Sequence, residues 1–76
     1  MTPGLRDIEY FIAIAKHGNL GRTAETLGLS QPALSKSLRR LESVLQTKLV
    51  KKVPKGVELT TVGTAFLAHE IGRAHV

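Results

Sequence analysis

Gly28-Leu29-Ser30-Gln31-Pro32-Ala33-Leu34-Ser35-Lys36-Ser37-Leu38-Arg39-Arg40-Leu41-Glu42 is the stretch on which the fold turns. It opens with a glycine suited to ending one helix. Ser30 follows, a residue type that caps the next helix by accepting a hydrogen bond from an orphan amide. Pro32 then falls in the first turn, where the amide it lacks would have had no intrahelical partner. A helix starting at Gln31 is predicted. At about 100° per residue, Leu34, Leu38, Leu41 and Leu45 lie within about 60° of one another, a narrow apolar stripe for burial. The opposite side carries Pro32, Ser35, Lys36, Arg39, Arg40 and Ser43, so that one face is greasy and the other basic and hydrogen-bonding.

Upstream, Ile8, Phe11, Ile12, Ile14 and Ala15 recur at helical spacing between Leu5 and Lys16, which predicts a first helix there. His17-Gly18-Asn19 stops it, with Gly18 as a C-terminal cap and Asn19 as the N-cap of a second helix from Leu20 to Leu27. Two helices joined by a short turn containing glycine, the second with a basic outer face, form a helix-turn-helix layout. Downstream, Lys48-Leu49-Val50-Lys51-Lys52-Val53 and Val57-Glu58-Leu59 are β-compatible runs around Val53-Pro54-Lys55-Gly56. Proline second and glycine fourth suit a type I turn, giving a hairpin with a lysine-rich tip. Thr60 or Thr61 can cap a fourth helix through Val62, Ala65, Phe66 and Leu67. The expected fold is therefore mainly α, a winged helix-turn-helix of three helices, a two-stranded β-hairpin as wing and the start of a further helix.

With 76 residues, 42% of them hydrophobic, the chain fits one small domain and leaves no room for a second. The absence of cysteine excludes a disulfide framework and a thiolate metal site. No apolar run reaches the length of a membrane span, about 18 residues, and Met1-Thr2-Pro3-Gly4 lacks the layout of a secretory signal. A soluble, cytoplasmic protein without membrane contact is expected. His17, His69 and His75 have no metal-ligand spacing, there is no Ser-x-x-Lys pair, and Gly18 with Gly21 is too sparse for a phosphate loop. Neither an enzyme nor a cofactor or metal is expected.

Charge points to the partner. The formal net charge is +5, and between Gln31 and Gly56 seven cations face the single acid Glu42, so that this segment alone exceeds the whole chain. Such a balance favours a polyanion. With only Tyr10, Phe11 and Phe66 as aromatics, stacking of single-stranded bases is poorly supported and double-stranded DNA fits better. A helix fits the major groove, its N-terminal side chains reach base edges, and the amides at its start favour phosphate. Two blander readings stand beside this. Lys36, Arg39 and Arg40 suit a solvated helix face, and Lys51, Lys52 and Lys55 suit protection of an exposed hairpin edge. A protein-interaction module, with its charge serving solubility, is the rival function.

The quoted stretch resembles the helix-turn-helix of LysR-type transcriptional regulators. In register with it are Tyr10-Phe11 with Ala13 and Ala15, Gly18-Asn19-Leu20, Ala24-Glu25 before Leu27, and Leu59-Thr60 with Gly63; the resemblance runs from Leu5 to Leu67. It implies sequence-specific binding of operator DNA by residues 1–60 and a linker helix starting at 61–69. Through that helix the full-length protein would form a homodimer, and an effector ligand would bind only in a larger domain absent here. Carried over by position, Gln31, Pro32, Ser35 and Lys36 would meet the major groove. Ser30, Arg39 and Arg40, with Lys51, Lys52 and Lys55 of the wing, would meet the DNA backbone. Lys52 stands where the family often has arginine, and it offers a point charge without a fork. Val50 replaces a usual phenylalanine, which predicts looser wing packing. Residues 70–76, ending Ile71-Gly72-Arg73-Ala74-His75-Val76, resemble a translated sequencing-library adapter and are expected not to be biological.

Overall fold

A computed structural model describes residues 2–74, in the order α1 (Leu5–His17), α2 (Leu20–Leu27), α3 (Gln31–Leu45), β1 (Val50–Val53), β2 (Gly56–Leu59) and α4 (Thr61–Ala74). His75 and Val76, part of the stretch expected to be adapter-derived, lie outside the described residues. Helix ends fall where cap chemistry puts them. Asn19 Oδ1 accepts from the Arg22 amide at 2.9 Å, Ser30 Oγ from Ala33 at 3.2 Å, and Thr60 Oγ1 from Gly63 at 2.9 Å, so Thr60 rather than Thr61 caps α4. Gly18 and Gly28 close α1 and α2 in the left-handed conformation. Gln46 does the same for α3 without being glycine, at φ 56°, and its amide bonds the Ser43 carbonyl.

Phe11 and Ile14 of α1, Ala24 of α2, Leu34, Leu38 and Leu41 of α3, and Leu49 form the buried core. Leu45, the fourth leucine of the predicted stripe, is only partly buried at its edge. The Phe66 ring of α4 meets Phe11 at 5.6 Å between centroids, tilted by 54°, and so fastens α4 over α1. Phe66 and Leu67 turn toward the core, while Val62 and Ala65 are exposed.

The hairpin is antiparallel, with Val53 paired to Gly56 and Lys52 to Val57 around the two-residue loop Pro54-Lys55. Its first strand begins at Val50, two residues later than the predicted run from Lys48. The reason is that backbone groups ahead of it are engaged elsewhere. The Leu49 amide donates to the Glu42 carboxylate, and the Lys48 and Leu49 carbonyls accept from the Thr60 hydroxyl and amide. At the far end of the hairpin, the Val57 amide donates to the Gly18 carbonyl at 3.0 Å. Gly56, at φ 142°, permits that approach, because a Cβ there would run into the Gly18 carbonyl. Gly63 does likewise for α4, since a Cβ would strike the carbonyl of Leu49.

Candidate nucleic-acid interface

The three-residue break after α2 and the Ser30 cap leave the first turn of α3 at the surface. There Ser30, Gln31 and Pro32 are exposed, Lys36 and Arg39 are exposed one and two turns on, and Ser35 is half-buried. The structure brings some of these together with the wing. Gln31 and Ser35 line one polar cleft with Asn19, Gly21, Lys52 and Gly56, a space of about 270 Å³ where the starts of α2 and α3 meet the hairpin. An ideal Cβ at Gly21 would sit 3.4 Å from Gln31 Oε1, so the missing side chain there leaves room for the carboxamide. Lys36 and Lys55 lie outside this cleft and carry free charge, with no ion-pair partner among the described residues. Lys51 instead reaches Glu58 across the hairpin at 4.0 Å, an exposed pair of little energetic weight.

Arg40 is placed differently from its neighbour. Its guanidinium is engaged with α1, donating from Nε to Asp7 Oδ2 at 2.8 Å and from Nη2 to Asp7 Oδ1 at 2.9 Å. The Ser37 hydroxyl donates to the same Oδ1 at 2.6 Å. The Arg40 fork holds the Asp7 carboxyl below the ordinary carboxylate range; burial opposes this and the Ser37 hydrogen bond reinforces it. Arg40 thus differs from Arg39 in starting from an ion pair with α1, although its side chain is 57% exposed and the pair engages only two of its five N–H groups.

Sequence reading passed over two residues that shape this surface. Asp7 lies on the buried side of α1, at i relative to Phe11 at i+4 and Ile14 at i+7, and a carboxylate on an apolar stripe signals a buried partner. Glu42 borders the stripe of Leu38, Leu41 and Leu45 and is itself buried, with Oε2 accepting from the Leu49 amide at 2.7 Å and the Val50 amide at 3.4 Å. Neither spacing revealed which residue would answer, since Arg40 lies 33 positions from Asp7.

A family described as bacterial regulatory helix-turn-helix protein, lysR family, matches residues 5–64. The chain belongs to the lysR family. Over 67 residues the LysR domain is 48% identical to the uncharacterized HTH-type transcriptional regulator YdcI of Escherichia coli strain K12, covering 88% of this chain and 22% of that protein. The full-length CbnR structure, complexed with its target DNA, superposes with a TM-score of 0.86 at 35% identity, over 95% of this chain and 25% of that one. The BenM DNA-binding domain, in complex with catB site 1 DNA, superposes at 0.87 with 28% identity, over 95% of this chain and 80% of that one. The chain thus spans about a fifth to a quarter of the full-length regulators it matches, and the part it matches is the winged helix-turn-helix that forms their DNA-binding domain. These relatives are transcription regulators rather than enzymes. Among the described residues no helix is long and apolar enough to cross a membrane.

Proposed function

We propose that this LysR domain reads double-stranded operator DNA as the sequence-specific part of a bacterial transcription regulator acting in the cytoplasm. The observation that carries the proposal is the convergence of Gln31 and Ser35, at the start of α3, with Lys52 of the wing around one open polar cleft. With α3 in the major groove, Gln31, Pro32, Ser35 and Lys36 face base edges, Gln31 offering the donor and acceptor pair that matches adenine. Ser30 at the helix start and Arg39, Lys51, Lys52 and Lys55 face phosphates, which set register and supply affinity without sequence information. Arg40 is left out of this set because Asp7 holds it. In the complete regulator two copies pair through α4, where Val62 is 48% exposed, and place their α3 helices in successive major grooves. An effector ligand is sensed by a further domain.

Measuring duplex affinity against salt tests the reading. With Arg39, Lys51, Lys52 and Lys55 each neutralising a phosphate, affinity falls as about the fourth power of salt concentration. Gln31→Ala or Ser35→Ala changes which sequence a selection from random duplexes recovers, whereas Lys52→Ala weakens all sequences alike. Binding indifferent to salt overturns the proposal, and a changed preference in Lys52→Ala overturns the division of roles.

A further inference from the structure

We propose that Glu42 is a positioning residue for DNA binding, holding the root of the wing against the recognition helix α3 so that both meet the duplex as one rigid body. The inference rests on the DNA-binding reading above and assigns a role to a side chain that touches no nucleic acid.

The geometry shows why a dedicated holder is needed. Between α3 and β1 runs an open cleft of about 390 Å³, lined by Ser35, Arg39 and Glu42 on one side and Val50, Lys51 and Lys52 on the other. Val50, Val57 and Leu59 pack the inner face of the hairpin against the core, but across this gap the outer face of α3 and β1 have no partner atoms to attract them, so packing alone leaves their relative angle loosely set. Glu42 closes one end of it. Its Oε2 takes the amides of Leu49 and Val50, the two residues that lead into the wing strand, while Oε1 lies 3.8 Å from Lys48 Nζ. The same two-residue lead-in is gripped from behind by Thr60, whose hydroxyl and amide donate to the carbonyls of Lys48 and Leu49. At the other end of the hairpin the Val57 amide is tied to the Gly18 carbonyl. One tie alone leaves a pivot, and the two together set the angle of the arm. Glu42 supplies the only one of these ties that originates on α3. It therefore couples Lys52, two residues beyond Val50, to Gln31 and Ser35.

The test is the salt slope of duplex binding, read with and without Lys52 in each Glu42 background. In the parent chain and in Glu42→Gln, whose side-chain oxygen still accepts from both amides, Lys52→Ala flattens the slope by about 1. In Glu42→Ala the slope is already shallower than in Glu42→Gln by about 2, the two unpaired wing cations Lys52 and Lys55, and Lys52→Ala then changes it by less than about half a unit. Comparing Ala with Gln removes the effect of freeing Lys48, which both substitutions do. Glu42→Asp, one methylene too short to reach the strand, serves as a second variant and behaves like Glu42→Ala. A residue that only raised global stability would change the folded fraction, which circular dichroism reports, and leave the effect of Lys52→Ala whole. The proposal is overturned if Lys52→Ala keeps its full effect in both the Ala and Asp backgrounds, or if neither variant folds at any temperature. Failure of the parent chain to bind duplex with a salt-dependent slope overturns instead the reading on which it rests.

Discussion

Asp7 on the α1 flank of the recognition helix and Glu42 on its wing flank are both buried carboxylates, 7% and 8% exposed, yet they are satisfied by different chemistry. Asp7 takes side-chain donors, the Arg40 fork and the Ser37 hydroxyl. Glu42 takes backbone donors, the amides of Leu49 and Val50, with Lys48 a loose third partner. What differs is the fate of the partner when the carboxylate is removed. The Arg40 side chain is 57% exposed and turns readily to water. The Leu49 amide belongs to a fully buried residue and has no such recourse. A flank held through an exposed side chain can thus be released without orphaning a buried group, whereas a flank held through a buried main-chain amide cannot.

Removing each carboxylate breaks the comparison at its strongest point. Glu42→Ala leaves a buried amide without an acceptor and costs about 2 kcal/mol, the penalty for an orphaned polar group. For a domain of this size that lowers the melting temperature by about 10 °C, measurable by circular dichroism. Glu42→Gln, which keeps the acceptor, recovers most of the loss.

Asp7→Asn has a smaller effect, about 1 kcal/mol, because the amide keeps an acceptor for Ser37 and the released arginine is solvated. Its distinguishing mark is pH dependence. The Asp7 carboxyl is held below its ordinary range in the folded state, chiefly by the Arg40 hydrogen bonds, so the unfolded chain takes up the proton first on acidification. The stability it contributes is complete above the unfolded carboxylate pKa, about 3.9, and is lost as pH falls through the lower folded value. Melting curves between pH 6 and about 2.5 should therefore converge for the parent chain and Asp7→Asn at the acid end, the gap closing below about pH 4. A gap that persists unchanged to the lowest pH means that Asp7 acts by shape rather than charge.

The two flanks also mark how far the sequence could be read. Caps and breaks were legible because each is settled locally: Asn19 and Ser30 accept from amides three residues on, and Pro54-Lys55 forms the hairpin loop expected from proline second and glycine fourth. The core leucines of α3 followed from period alone. Leu49 did not, since it stands among lysines and its burial depends on Glu42 and Thr60 folding the lead-in under the wing. On the outer face of α3, Pro32, Lys36 and Arg39 are exposed as expected, but a helical wheel treats polar residues as surface by default. It therefore gave Arg40, Asp7 and Glu42 no partner. Those pairings are set by how helices pack, at separations where periodicity carries no information.

Arg39 and Arg40 offer the finest sharpening of the comparison, being neighbours of one residue type on either side of the boundary between outer face and flank. Arg39 has no ion-pair partner among the described residues and lines the cleft facing the wing, whereas Arg40 is committed to Asp7. Arg39→Ala should flatten the salt slope of duplex binding by about 1 and leave stability within about 0.5 kcal/mol of the parent. Arg40→Ala should do the reverse, lowering the melting temperature while the slope holds. If Arg40→Ala flattens the slope as well, Arg40 meets a phosphate either through its three remaining N–H groups or by leaving Asp7 when DNA arrives. Asp7→Asn separates the two, strengthening binding only in the second case, because a guanidinium no longer held by a carboxylate reaches phosphate without first breaking two charged hydrogen bonds.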